Sequence, residues 1–255
     1  MKVGIFVTAR MGSSRLKGKH FRQVLCEPII KYLLGSICKE FESEIIKKDV
    51  YCLITTGNEI INKKFLSLKT SNVDIFFGDD QNIPLRHLKA ASYYNLDAII
   101  SVDGDDIVCS TNAMRLVMEK LLQGRDLVHS VGLPFGMNVF GYSKNILQKA
   151  LNLSSYGIME TGWGRIFENF TPFKISFDCP RAEEIRASLD YYDDLKFFKE
   201  LIPILKKNSI TDYNEIIRII IENNLFKINS HLMIPYWESF YREKKSEVDN
   251  EKQIV

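Results

Sequence analysis

The chain has 255 residues, 45% hydrophobic and 26% charged, with 34 lysines and arginines against 32 aspartates and glutamates. That length and composition allow one large buried core, expected as a single domain over residues 1–240. The near-cancelling charge excludes the overall positive field that gathers nucleic acid or an anionic membrane surface. The five cysteines (Cys26, Cys38, Cys52, Cys109 and Cys179) are scattered without a Cys-x-x-Cys pair, and the four histidines form no cluster with them. Such spacing excludes a zinc site or disulfide frame and suits reduced thiols.

The first apolar run, Val3-Gly4-Ile5-Phe6-Val7, is followed at once by Ala9-Arg10. It is too short for a signal peptide or a membrane span, so a soluble, cytoplasmic protein is expected. In chain order, strands are predicted over 3–9, 50–55, 73–77 and 98–102. Helices are predicted over 29–40, 59–68, 85–94 and 112–122. This is βαβ alternation, which builds an open, mostly parallel sheet with covering helices. The alternation loosens over 127–131 and 138–142, where Gly132, Pro134 and Gly136 intervene and antiparallel strands are expected. A strand over 174–177 and helices over 192–205 and 212–223 follow, the last capped by Thr211 or Asp212. Residues 241–255 are almost all polar or charged and read as a frayed, disordered tail.

In open α/β sheets ligands sit beyond the carboxyl ends of the strands. After the first strand stands Ala9-Arg10-Met11-Gly12-Ser13-Ser14-Arg15-Leu16-Lys17-Gly18-Lys19, a loop of glycines, serines and four cations. It offers backbone N–H groups and fixed charge to a polyanion such as a phosphate chain, the alternative being a flexible basic turn. It is neither a Walker loop nor the dinucleotide Gly-x-Gly-x-x-Gly. After the second strand come Thr55, Thr56 and Gly57, polar and small enough to hydrogen-bond a base edge, and after the third Gly78, Asp79 and Asp80. After the fourth comes Asp103-Gly104-Asp105-Asp106, a carboxylate group of the kind that holds Mg²⁺ beside substrate phosphates, or else a solvated acidic turn. Asp190 precedes a helical run and is a second metal candidate, whereas Asp193 and Asp194 suit the first turn of that helix. His20 adjoins the loop; His87, His129 and His231 have no metal-ligand spacing. No Gly-x-Ser-x-Gly elbow is present, so the chemistry indicated is phosphoryl-type transfer by alignment and charge neutralisation.

The segment 9–19 resembles the signature of the cytidylyltransferases that make CMP-activated sugars, the CMP-Kdo and CMP-acylneuraminate synthetases and the relatives named after spore-coat polysaccharide synthesis. The last are nearest, with Ala-Arg-Met-Gly-Ser-x-Arg-Leu-Pro-Gly-Lys. The likeness continues through Phe77-Gly78-Asp79 with Leu85-Arg86, through Gly104-Asp105, and through Arg186-Ala-Ser-Leu-Asp190-Tyr-Tyr-Asp-Asp-Leu195. It implies a nucleotidyltransferase fold of the glycosyltransferase-A type and a Mg²⁺-dependent reaction of CTP with a sugar, giving CMP-sugar and pyrophosphate for surface glycan synthesis. The resemblance assigns Arg10, Arg15 and Lys19 to the triphosphate, with Ala9, Gly12 and Ser13 beside it. It assigns Asp105 and Asp190 to Mg²⁺, and Thr55 and Gly78 to cytosine and ribose. Arg10, Lys19 and Asp105 would be the catalytic set. An acidic 2-keto-3-deoxy sugar is the implied acceptor, expected near Met137, Asn138, Glu160 and Arg165, and a homodimer is the family habit. Transfer to a sugar phosphate or polyol phosphate, and a non-catalytic nucleotide-binding role, are the alternatives. The chain departs from the pattern at Lys17 (for proline), Asp106-Ile107 (for Cys-Pro), Tyr191-Tyr192 (for Thr-Pro) and Thr161 (for histidine).

Overall fold

A computed structural model describes residues 1–154 and 157–252. Strand β1 (Val3–Thr8) is followed by a small hairpin, β2 (Gln23–Val24) and β3 (Glu27–Pro28), and by helices α1 (Ile30–Glu40) and α2 (Glu42–Ile46). The chain continues as β4 (Val50–Gly57), β5 (Val73–Gly78), α3 (Ile83–Tyr93), β6 (Ala98–Asp103) and α4 (Thr111–Leu122). Next come β7 (Leu127–Val131), β8 (Phe140–Ser143), α5 (Lys144–Leu153), β9 (Phe173–Ser176), α6 (Tyr192–Lys207), α7 (Tyr213–Glu222) and α8 (Met233–Lys252). Residues 59–68, expected as an α-helix, form a 3₁₀ segment, Ile60–Leu68.

Seven strands make one sheet in the order β5-β4-β1-β6-β8-β7-β9. The β5-β4-β1-β6 half is parallel, β8 runs antiparallel to both β6 and β7, and β9 returns parallel to β7. Helices cover both faces, so β1 is apolar on both. Ile5 and Val7 pack with Leu33 of α1, Val117 of α4 and Leu201 of α6, while Phe6 packs with Ala90 of α3 and Leu147 of α5. The helix starts are set locally by side-chain caps: Asn82 accepts from Leu85 N, Ser110 from Ala113 N and Ser143 from Ile146 N. Asp212 caps α7 by accepting from Asn214 N and Glu215 N. Among the described residues no helix is long and apolar enough to cross a membrane.

Helix α8 takes in residues 241–252 of the segment expected as a frayed, disordered tail, residues 253–255 lying outside those described. Its inner face is held by ionic and aromatic contacts that hydrophobic patterning does not register. Glu247 accepts from Thr161 N at 2.8 Å and from Arg165 Nη2 at 3.1 Å. Phe240 lies so near Gly162 that a Cβ there would stand 2.9 Å from its ring.

Candidate active site

The ends of β1 and β6 meet because position 104 has no side chain. Gly104 N donates to Thr8 O at 2.8 Å, and a Cβ would stand 2.9 Å from that of Ala9. The loop after β1 is pinned where Met11 N donates to Asn62 Oδ1 at 2.9 Å, with Met11 and Leu16 buried beneath it. Gly18 then adopts φ 61°, a left-handed turn that glycine takes without strain, and delivers Lys19 inward. From the far end of the sequence, Leu189 N donates to Asp105 O at 2.9 Å, which sets Asp190 beside Asp105.

Lys19 is the hub of this junction. Its Nζ contacts Asp105 Oδ2 and donates to Asp190 Oδ1 at 3.0 Å. Arg15 Nη2 reaches the same Asp190 oxygen at 3.2 Å, and Arg186 Nη2 reaches Asp190 Oδ2 at 2.8 Å. Burial alone would raise the Asp190 pKa and lower that of Lys19. For Asp190 the cations Lys19, Arg15 and Arg186 outweigh burial and hold it below its ordinary value; for Lys19 the two aspartates outweigh burial and raise it. Both groups therefore stay charged. Arg186 is itself locked, with Nε on Asp194 Oδ1 at 2.9 Å, while Asp194 Oδ2 accepts from the backbone N–H groups of Asp190 and Tyr191.

A cleft of about 380 Å³ opens above these groups. Its polar end is Arg10, Ser13, Arg15, Lys19, Asp103 and Asp105; its aromatic end is Phe135, Phe140 and Trp163 with Tyr236, Trp237 and Phe240 of α8. Arg86 and Glu160 complete the rim, Glu160 paired with Arg10 Nη1 at 2.5 Å. Burial, outweighing Arg10 and Arg86, raises the Glu160 pKa. The Arg15 Nη1 atom is buried without a hydrogen-bond partner, a donor left available on the cleft wall.

His20 Nδ1 donates to Gly104 O at 3.1 Å, and burial together with the neighbouring Lys19 charge holds the ring down to about 4. The neutral ring belongs to the fold, so the stability linked to it is complete above the unfolded value of 6.5 and is lost as pH falls toward about 4. A shift of that size corresponds to about 3 kcal/mol. His20→Asn is expected to flatten the fall of the thermal midpoint across this window, and a slope equal to wild type would contradict the assignment.

Of the residues singled out in the sequence, Ala9, Arg10, Ser13, Arg15, Lys19, Asp105 and Glu160 line the cleft, with Asp190 buried directly behind Lys19. Others stand apart. Gly12 is exposed with open space around it. Thr55 is fully buried, its hydroxyl bonded to Thr8 Oγ1 at 3.3 Å and to His87 Nε2 at 3.2 Å. Gly78 lies behind the cleft, where a Cβ would meet Arg86 Cγ at 2.8 Å; its absence lets Arg86 through to the rim. Met137 is buried in the core, and Asn138 spends its amide on Leu133 O at 2.8 Å. Arg165 faces away from the cleft, onto Ile158 O, Thr161 O and Glu247. The segments 134–138 and 160–165, where the sugar is expected, contain the cleft residues Phe135 and Trp163, whereas Arg86, Phe140 and all of α8 were not singled out. The signal for α8 was the aromatic cluster Tyr236, Trp237 and Phe240 at helical spacing.

The carboxylates fit a divalent cation. Removal from bulk water at the cleft floor, together with the Asp105 charge, pushes Asp103 up to about 7, and the same two causes raise Asp106 well above its ordinary value. The Asp105 charge contributes to both shifts, so the carboxylates of this turn repel one another, a repulsion that a bound cation relieves. Among the described residues no three His, Cys, Asp or Glu side chains form a ready metal cage. Mg²⁺ needs none, since it commonly takes one or two protein carboxylates and completes its shell with water and substrate phosphate.

No family model matches the chain. The structure superposes on a cytidylyltransferase from Leptospira borgpetersenii serovar Hardjo-bovis (strain JB197) with a TM-score of 0.77 and 23% identity, covering 89% of this chain and 96% of that one. It also superposes on a CMP:2-keto-3-deoxy-manno-octonic acid synthetase complexed with CTP, with a TM-score of 0.59, 13% identity and coverage of 80% and 99%. An uncharacterized protein of Methanocaldococcus jannaschii is 27% identical over 207 residues, 79% of this chain and 83% of its own length. The fold is therefore that of the nucleotidyltransferases, in its cytidylyltransferase-like form: a mixed, mostly parallel sheet with flanking helices.

Proposed function

We propose that the protein is a cytidylyltransferase that transfers CMP from CTP to a sugar hydroxyl and releases pyrophosphate. The observation that carries this reading is the convergence, at the joined ends of β1 and β6, of Arg10, Arg15 and Lys19 with Asp105 and Asp190. Phosphoryl-type transfer asks a protein for this combination of cations, carboxylates and alignment. The acceptor hydroxyl oxygen attacks the α-phosphorus in line and its proton passes to water, while the bond from that phosphorus to the bridging oxygen breaks and pyrophosphate leaves with the electron pair. Arg10 and Arg15 receive the charge that grows on the leaving oxygens. Lys19 has three N–H donors; two are directed at Asp105 and Asp190, and the third is left for phosphate.

Asp105 would hold Mg²⁺, joined by Asp190 once Lys19 gives up its Oδ1; the metal when bound neutralises phosphate charge and lowers the pKa of the attacking hydroxyl. The acceptor end is the aromatic half of the cleft, with Glu160 for sugar hydroxyls. The acceptor class suggested by the resemblance and by the synthetase of similar fold is an acidic 2-keto-3-deoxy sugar. Arg165 does not serve its carboxylate, being committed to Glu247 and two backbone carbonyls. CTP supply places the reaction inside the cell.

Ligand-induced stabilisation tests nucleotide choice. At a hundredfold excess over Kd, CTP with Mg²⁺ is expected to raise the thermal midpoint by about 5–10 °C, and UTP, GTP and ATP by clearly less. An equal response to all four, or none, would contradict the cytidine assignment.

A further inference from the structure

Two arginines grip opposite oxygens of Asp190: Arg15 on Oδ1 at 3.2 Å and Arg186 on Oδ2 at 2.8 Å. Both guanidiniums also lie over one ring of α8, that of Tyr236, with Cζ to centroid distances of 5.2 Å for Arg15 and 4.6 Å for Arg186. The ring is braced by Phe135 at 4.9 Å and Trp237 at 5.3 Å. It lines the cleft instead of sitting in the core. Arg15 is a long, rotatable side chain, and its remaining fastenings are loose, the Tyr191 ring at 5.9 Å and Glu243 at 3.8 Å. An aromatic face that holds a guanidinium in one place spares the entropy of ordering it when a phosphate arrives.

We propose that Tyr236 is a positioning residue for Arg15 and Asp190, so that α8 completes the phosphate end of the cleft as well as its aromatic wall. Tyr236 touches neither the phosphate nor the metal; it acts through the two arginines. The inference rests on the nucleotidyl-transfer reading, and the test separates the two.

Calorimetric titration of the full chain with CTP in Mg²⁺, and separately with magnesium pyrophosphate, provides that test without knowledge of the acceptor. Tyr236→Leu keeps an apolar side chain but removes the π face, and is expected to weaken both ligands about tenfold. Tyr236→Phe keeps the face and is expected to bind within about twofold of wild type. In the Arg15→Met background Tyr236→Leu is expected to cost clearly less than in wild type, because the Arg15 contact is already gone and only the Arg186 contact remains to be lost. Should proteolysis show that Tyr236→Leu loosens α8, Arg15→Lys carries the test instead. It keeps the charge, loses the planar stack, and is expected to weaken binding by a similar factor. Equal binding by wild type and Tyr236→Leu, or a Phe variant as weak as the Leu variant, would overturn the role of Tyr236 alone. Failure of wild type to bind either ligand would overturn the nucleotide reading, and the role of Tyr236 with it.

Discussion

Asp105→Asn is expected to keep the fold and to lose CTP-dependent pyrophosphate release by about 10²–10³-fold, the usual cost of removing one group that stabilises transition-state charge. The substitution is nearly isosteric and falls on a partly exposed side chain at the β6 turn, so packing is untouched. The backbone that places Asp190 is also untouched, because Leu189 N donates to the carbonyl of residue 105 and not to its side chain. Stability should change little, because Lys19 loses one charged partner but keeps Asp190, and a repulsion within the turn is relieved at the same time. Asp103 and Asp106 both bear pKa values raised in part by the Asp105 charge, and neutralising it relieves that repulsion. Kinetics and a melting curve on the same sample check the claim. Turnover within about threefold of wild type, against the 10² or more expected, would remove Asp105 from the mechanism.

Lys19→Met should be the most destabilising single change in the cleft. Lys19 and Asp190 are both almost completely buried, and removing one partner leaves a buried carboxylate short of a cation, which costs about 3–5 kcal/mol. The contrast is Arg10→Met, whose pair with Glu160 joins a half-exposed side chain and belongs with surface pairs worth about 1 kcal/mol or less. Because the carboxylates are what suffers, a divalent cation should repair part of the loss. Millimolar Mg²⁺ is expected to raise the melting point of Lys19→Met by more than it raises that of wild type. Denaturant unfolding with and without Mg²⁺ measures this. An unchanged stability in Lys19→Met, or no larger response to Mg²⁺, would contradict the placement of Lys19 between two charged aspartates.

The parallel half of the sheet was legible in the sequence because each buried strand is a continuous apolar run that ends in an abrupt burst of polar residues. That pattern pointed to the loop over 9–19 and the Asp103–Asp106 turn, whereas Asp190 was singled out as the acid just before a helical run. Strand ends alone do not say which way a side chain points, and Thr55 shows the cost: period-two alternation turns its hydroxyl to the His87 side, beneath the sheet surface. Met137 and Asn138 sit in the right loop, but their side chains fill the core and tie the loop together, leaving the neighbouring Phe135 to face the cleft. Helix α8 escaped because its docking is carried by Glu243, Glu247 and aromatic rings that meet Arg15 and Arg165, partners far away in sequence. Charge spread along an exposed segment and charge waiting for a distant partner look alike until the partner is placed. Lys17, the extra cation of the loop, is exposed, so its replacement of proline leaves the Lys19 junction unchanged.

Isotopic label decides directly which phosphorus of CTP is attacked. The full chain is incubated with Mg²⁺ and a panel of free acidic ketosugars, neutral sugars and sugar phosphates, once with CTP labelled at the α-phosphorus and once at the γ-phosphorus. We expect α-label to appear in a nucleotide-sugar product and γ-label only in pyrophosphate. Transfer of γ-label to an acceptor, or no release of pyrophosphate with any acceptor, would contradict cytidylyl transfer.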